Sequence, residues 1–209
     1  TAFNLNGKTQ AIGGALANAG NLTVGLGGQL TSDSLTNTGN VSLAAGRLTS
    51  GALTNSGTVN LGAGTLTLNN GGTSTATGGL TGTGALNVAG GELILSGANA
   101  GLAGTTTIGT DGAITLNDKG TLGTAAVNVG GNLNLNAAQT LTNVLSGNGA
   151  VNTNSTVSLN SDNSGFTGSQ NIWADGKLTV SGGNNLGTGN RVNLTASGAE
   201  LVLNAVSDT

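Results

Sequence analysis

Short runs of this chain alternate apolar residues with Thr, Ser, Asn or Gly, as in Val41 and Leu43, Val59 and Leu61, and Leu66 and Leu68. A period of two places successive side chains on opposite faces, so each run predicts a short strand with one apolar face. Helical spacing of apolar residues recurs nowhere in the chain. The runs are also copies of one template. Ala15-Leu-Ala-Asn-Ala-Gly-Asn-Leu-Thr-Val24, Ser34-Leu-Thr-Asn-Thr-Gly-Asn-Val-Ser-Leu43 and Ala52-Leu-Thr-Asn-Ser-Gly-Thr-Val-Asn-Leu61 follow one another at offsets of 19 and 18 residues. A period in that range marks a solenoid, in which each turn buries its apolar face only against its neighbours. The pattern therefore predicts an all-β parallel β-helix of about ten turns. Strand stacking makes that a rod on the order of 50 Å long.

A longer repeat is superimposed on the short one. Leu80-Thr-Gly-Thr-Gly-Ala-Leu86 matches Leu145-Ser-Gly-Asn-Gly-Ala-Val151 at an offset of 65. Leu95 with Leu159, Asn99 with Asn163, Leu102 with Phe166, Ile108 with Ile172, and Asp111-Gly112 with Asp175-Gly176 follow at an offset of 64. The chain thus reads as one β-helical segment over 1–209, with short repeats in 1–79, a first long unit in 80–144 and a second in 145–209. No charged or Pro-rich linker divides it. Gly71-Gly-Thr-Ser-Thr-Ala-Thr-Gly78 is the segment that reads as a loop or irregular turn.

Composition narrows the chemistry. The 209 residues include 40 glycines but no Pro, Cys, Met, His or Tyr, and only 6% are charged. Leu, Val and Ile are abundant and net charge is low, so the chain can fold, with aliphatic ladders in place of an aromatic core. Five Lys and Arg against eight Asp and Glu give a net charge of -3 with no basic cluster, which excludes nucleic acid as an expected partner. No run of 18 apolar residues is present to span a membrane as a helix. No signal peptide is visible, and the start at Thr1 rather than Met reads as a fragment of something longer. A chain without Cys or Pro suits export as an unfolded thread, since no disulfide or prolyl bond delays refolding.

The Thr-Asn-x-Gly tetrads predict tight corners, because Asn and Gly tolerate positive φ and an Asn amide bonds its own local backbone. If the copies stack, Asn18, Asn37 and Asn55 fall in one column, each amide bonding the next in a structural ladder.

The two long units, with Gly-Thr-Gly-Ala-Leu-Asn-Val, Leu93-Ile-Leu-Ser-Gly-Ala-Asn99, a Thr-rich link to Ile108, and Leu122-Gly ahead of Val127-Asn-Val129, resemble the autotransporter-associated β-strand repeat. The earlier Leu-Thr-Asn-x-Gly copies are similar to filamentous-haemagglutinin repeats. Where the repeat commonly has Asn-Thr-Tyr-Thr-Gly, this chain has Asn99-Ala-Gly-Leu-Ala-Gly104 and Asn163-Ser-Gly-Phe-Thr-Gly168, keeping a bulky residue and losing the phenol. The resemblance implies a right-handed β-helix in the passenger region of a Gram-negative type V secreted protein. It implies exposure at the cell surface, with membrane contact only through a β-barrel translocator outside this segment. It further implies adhesion, self-association or biofilm formation, through contacts with itself or with cell-surface glycan or protein, and no catalytic residue or cofactor.

The residues present offer little else. Without His or Cys there is no imidazole or thiol catalysis and no Cys/His zinc site. Parallel β-helices do host sugar-cleaving enzymes, which need two acids, or an acid with a Lys or Arg, in one groove, so Asp111, Asp162, Asp175, Lys177 and Arg191 are the set to place. Asp111 and Asp175 stand at matching places before Gly and read as turn residues, as do Asp118 and Asp162 in their corners. No Gly-Gly-x-Gly-x-Asp calcium nonapeptide occurs, and no helix follows the Gly-rich stretches to hold a phosphate. Amyloid stacking of many chains is the remaining alternative, disfavoured as a Gln ladder because only Gln10, Gln29, Gln139 and Gln170 are present. Trp173 is the exception to the pattern. Alternation turns it outward beside Ile172, where the first unit has Gly109, and an exposed indole on a flat sheet can stack on a sugar ring or anchor a partner; otherwise it covers a groove of neighbouring Thr and Gly.

Overall fold

A computed structural model describes residues 2–76, 79–189 and 191–204. All strand pairings among them are parallel, and the chain winds as a β-solenoid of about ten coils. Each coil crosses three faces. The first face opens with Ala2–Asn4, Asn21–Thr23, Asn40–Ser42, Thr58–Asn60 and Leu80–Thr81. After two irregular passages at Leu102 and Leu122 it resumes with Gln139–Leu141, Thr156–Leu159, Lys177–Val180 and Glu200–Leu203. The second and third faces belong to one continuous sheet. Long strands such as Gln29–Asn37, Ala85–Leu95 and Thr106–Leu116 bend across the corner between these faces, and in other coils the corner splits the strand in two.

The alternation in the sequence explains the core. Leu30, Leu48, Leu66 and Leu86 stack register to register under the second face, and Leu35 and Leu53 do so under the third; all are buried. Burial is spread evenly over coils, so each coil is held chiefly by its two neighbours. Leu66→Ala removes one link of the column between Leu48 and Leu86. It is expected to cost about 2–5 kcal/mol, read as a lower midpoint in urea unfolding.

Two expectations are corrected. Gly71–Ser74 is not a loop but a strand, paired with Leu53–Asn55 below and Glu92–Leu95 above. Its Gly-Gly pair belongs there because Gly72, at φ +134°, lies so close to Leu53 that a Cβ would come within 2.6 Å of the Leu53 nitrogen. Thr77 and Gly78 lie outside the described residues.

The second correction concerns the long repeat. Residues matched by the duplication do not share a stack. Leu86 lies below Thr106, Val127 and Leu145 in turn, so three coils take 59 residues from Leu86 to Leu145. The duplication instead pairs Leu86 with Val151, which stands above Leu93, Ile114 and Leu133 on the third face. The excess of about six residues is one strand, so the second unit sits three coils further along and one face further round. Asp111 consequently lies at the corner between the second and third faces, while Asp175 follows Ser169–Ile172 at the corner between the third and the first.

Candidate functional site

The predicted asparagine column is inside the rod. Asn18 Nδ2 donates to Asn37 Oδ1 at 2.7 Å, and Asn37 Nδ2 donates to Asn55 Oδ1 at 2.8 Å. Asn55 Nδ2 then donates to Ser74 Oγ at 3.0 Å, and Asn37 and Asn55 are fully buried. Each amide also bonds nearby corner carbonyls, Gly39 and Thr58 in the case of Asn37. Satisfied on all sides, these amides hold coils together and face no ligand.

Asn99 and Asn163, matched by the duplication, share a second buried role. Their Oδ1 atoms accept the backbone N–H of Leu80 at 2.9 Å and of Leu145 at 2.7 Å, the leucines that open the two long units. Both sit where a first- or second-face strand gives way to irregular chain, and their amides supply the ladder bonds that the backbone there does not.

A third set of asparagines faces solvent and was not singled out from the sequence. On the outer side of the third face, Thr36, Thr54, Thr73, Ile94, Thr115, Asn134, Asn152, Asn171 and Asn193 stand in one register column. Its upper part is a hydrogen-bonded ladder. Asn193, Asn171 and Asn152 each donate Nδ2 to the Oδ1 below at 2.7, 2.8 and 2.8 Å, and Asn134 donates to Thr115 Oγ1 at 2.9 Å. The Thr115 hydroxyl bonds the Glu92 carboxylate, so every donor points towards that charge. Beside it, at the corner with the first face, Asn154 donates to Asn136 at 2.7 Å and Asn136 to Asn117 at 3.0 Å. The signal was in the sequence: Asn132-Leu-Asn-Leu-Asn136, Asn152-Thr-Asn154 and Asn171 occupy polar positions of consecutive coils once the register is known. The second face carries a corresponding outer column of Thr31, Thr49, Thr67, Asn87, Thr107, Asn128 and Ser146.

Trp173 tops the corner column. Its backbone N–H donates to the Thr153 carbonyl directly above Asn154, and its own carbonyl accepts from Gly176 in a tight turn. Ile172 is buried and the indole is 47% exposed, on the corner of the rod rather than within a strand.

The charged residues are dispersed. Asp111 and Asp175 occupy different corners, Lys177 pairs with Glu200 of the next coil at 3.1 Å, and Arg191 lies on the outer edge of the third face. Asp162 is solvated; the Ser164 backbone N–H, 2.9 Å from its Oδ1, holds its carboxyl below the usual range, with the Ser164 hydroxyl and Asn184 amide adding to the effect. Asp208 lies outside the described residues. Among the described residues no three Asp or Glu gather as a metal site, and no helix is long and apolar enough to cross a membrane. Comparison with known proteins finds no matching family model, curated protein or solved structure.

Proposed function

We propose that the chain is a β-helical stalk and adhesion module of a secreted bacterial surface protein, acting by contact rather than catalysis. The observation that carries this reading is the pair of outer ladders, which repeat uncharged hydroxyl and amide groups coil after coil along a stiff rod. Each group binds weakly, but a partner aligned with the rod meets many of them at once, and summed contacts give avidity. Dependence of each coil on its neighbours alone suits a chain that emerges as a thread and folds outside the cell. The resemblance of the long units to autotransporter-associated repeats points to the same setting, at the surface of a Gram-negative bacterium.

The test is rod-to-rod association. Sedimentation over a wide concentration range is expected to show reversible dimers or higher species, and beads coated with the chain are expected to clump. A chain that stays monomeric throughout, on beads that stay dispersed, overturns the self-association reading.

A further inference from the structure

We infer that the outer third face of coils seven to nine is a binding platform for a linear, neutral polysaccharide, with Trp173 as its stacking residue. The outer positions of this face are Asn132, Asn134 and Asn136 in one coil and Ala150, Asn152 and Asn154 in the next. Ser169, Asn171 and Trp173 complete the grid in the coil above. Six of nine positions are asparagine and one is the only tryptophan of the chain. A buried structural role does not explain them, because they lie on the outside; Asn132, Asn136, Asn154 and Trp173 are exposed.

The amides retain capacity after their ladder bonds. Asn154 spends one N–H on Asn136, which leaves one N–H and both carbonyl lone pairs, and Asn136 keeps one of each. A neutral amide with a donor beside an acceptor matches a sugar hydroxyl, which is both, and an indole face covers the C–H face of a sugar ring. Charge reaches the platform only at its margins, through Arg191, Asp175 and the Glu92 carboxylate at the foot of the ladder, so an anionic polymer finds no cluster of cations. Flatness and coil-by-coil repetition suit an extended polymer that presents the same hydroxyls again and again, strand spacing setting a step of about 4.8 Å. A second copy of the rod fits less well, because an indole standing half exposed at the corner holds another flat sheet away.

The chain contains one tryptophan and no tyrosine, so its fluorescence reports on Trp173 alone. Titration with cellohexaose and laminarihexaose, at a protein concentration shown by sedimentation to be monomeric, is expected to give a saturable blue shift with at least one of them. In calorimetric titrations, Trp173→Ala and Asn154→Ala are expected to weaken that sugar at least about tenfold, the loss of one stacking or paired hydrogen-bond contact, with unchanged melting. Asn152→Ala is the second platform variant, read only if its melting is also unchanged. The proposal is overturned by no shift with either sugar at millimolar concentration, by affinity that survives Trp173→Ala, or by tighter binding of oligogalacturonate of the same length. A shift that follows protein rather than sugar concentration overturns it too, and assigns the face to self-association. Monomeric, non-clumping chain that binds the sugar would leave this platform standing while removing self-association.

Discussion

Gly104→Ala is expected to break the rod between its fifth and sixth coils, although it adds a single methyl group. A Cβ on Gly104 would overlap the Gly84 carbonyl oxygen and lie 2.5 Å from the Gly84 carbonyl carbon and 2.6 Å from that of Thr83. All three atoms are backbone, so no side chain can swing away and the coils must part. Gly46, Gly64, Gly84 and Gly104 repeat the contact one coil apart, each pressed onto the carbonyl of the previous one except Gly46, which rests on Gly25. Parting of coils there strips ladder bonds such as Ala103 N–H to Gly82 and Leu86 N–H to Thr105. The expected cost is at least about 3 kcal/mol, at or above the upper range for overpacking because the backbone itself is displaced. Since stability in a solenoid is carried by neighbour interfaces, a weakened central interface should also split unfolding into two phases. Urea unfolding checks both points, with Gly13→Ala as control: a Cβ there meets nothing within 4 Å, and a change within about 0.5 kcal/mol is expected.

These contacts show what the sequence could and could not disclose. Alternation placed Val41, Leu43, Val59, Leu61, Leu66 and Leu68 inside, and all are buried, because period two has only one burial solution in a half-covered strand. The Thr-Asn-x-Gly tetrads located the inner column of Asn18, Asn37 and Asn55 for the same reason: three copies at one spacing stack in register. Where the spacing varies, the reading fails. Coils run from 18 residues, Asn40 to Thr58, to 23, Lys177 to Glu200. The differences lie in the corners, two residues at Asn154-Ser155 against four from Trp173 to Gly176. Counting residues cannot tell a longer corner from an extra strand, so a 64-residue duplication looked like a whole number of coils.

That phase shift bears on the surface. Gly84 and Gly104 press on the corner between first and second faces, while their counterparts Gly149 and Gly168 press in the same way on the corner between second and third. The duplicated unit keeps its internal contacts on whichever face it begins, because every corner demands the same absence of a side chain. Its outer residues, by contrast, arrive on a different side of the rod. Trp173 therefore meets Asn154 and Asn136 rather than the neighbours of Gly109, its counterpart in the first unit. The amide platform is a product of that rotation and was invisible until the register was known.

Asn37→Leu is expected to be the most damaging change to the inner ladder, since Asn37 sits at its centre and is fully buried. Loss of its amide leaves Asn55 Oδ1 without the Asn37 donor and takes a partner from the Gly39 and Thr58 carbonyls, while Asn18 loses an acceptor. Several weakened or unpaired buried groups at about 1 kcal/mol or more each bring the expected cost to about 3–5 kcal/mol. Leucine is of similar size, so the loss cannot be assigned to a cavity. Asn21→Ala cuts a rung of similar length, where Asn40 donates to Asn21 at 3.1 Å, but in solvent, and should change stability by less than about 0.5 kcal/mol. Asn37→Asp separates charge from shape. An ionised carboxylate there would face three acceptor oxygens and no water, so burial and repulsion push its pKa above the unfolded value. The folded state then binds more protons than the unfolded one between those two values, and stability of this variant should rise as pH falls through that window. Urea midpoints measured from neutral to acid pH check the sign. A flat profile would mean that the column is hydrated, and that its amides are joined through water rather than to one another.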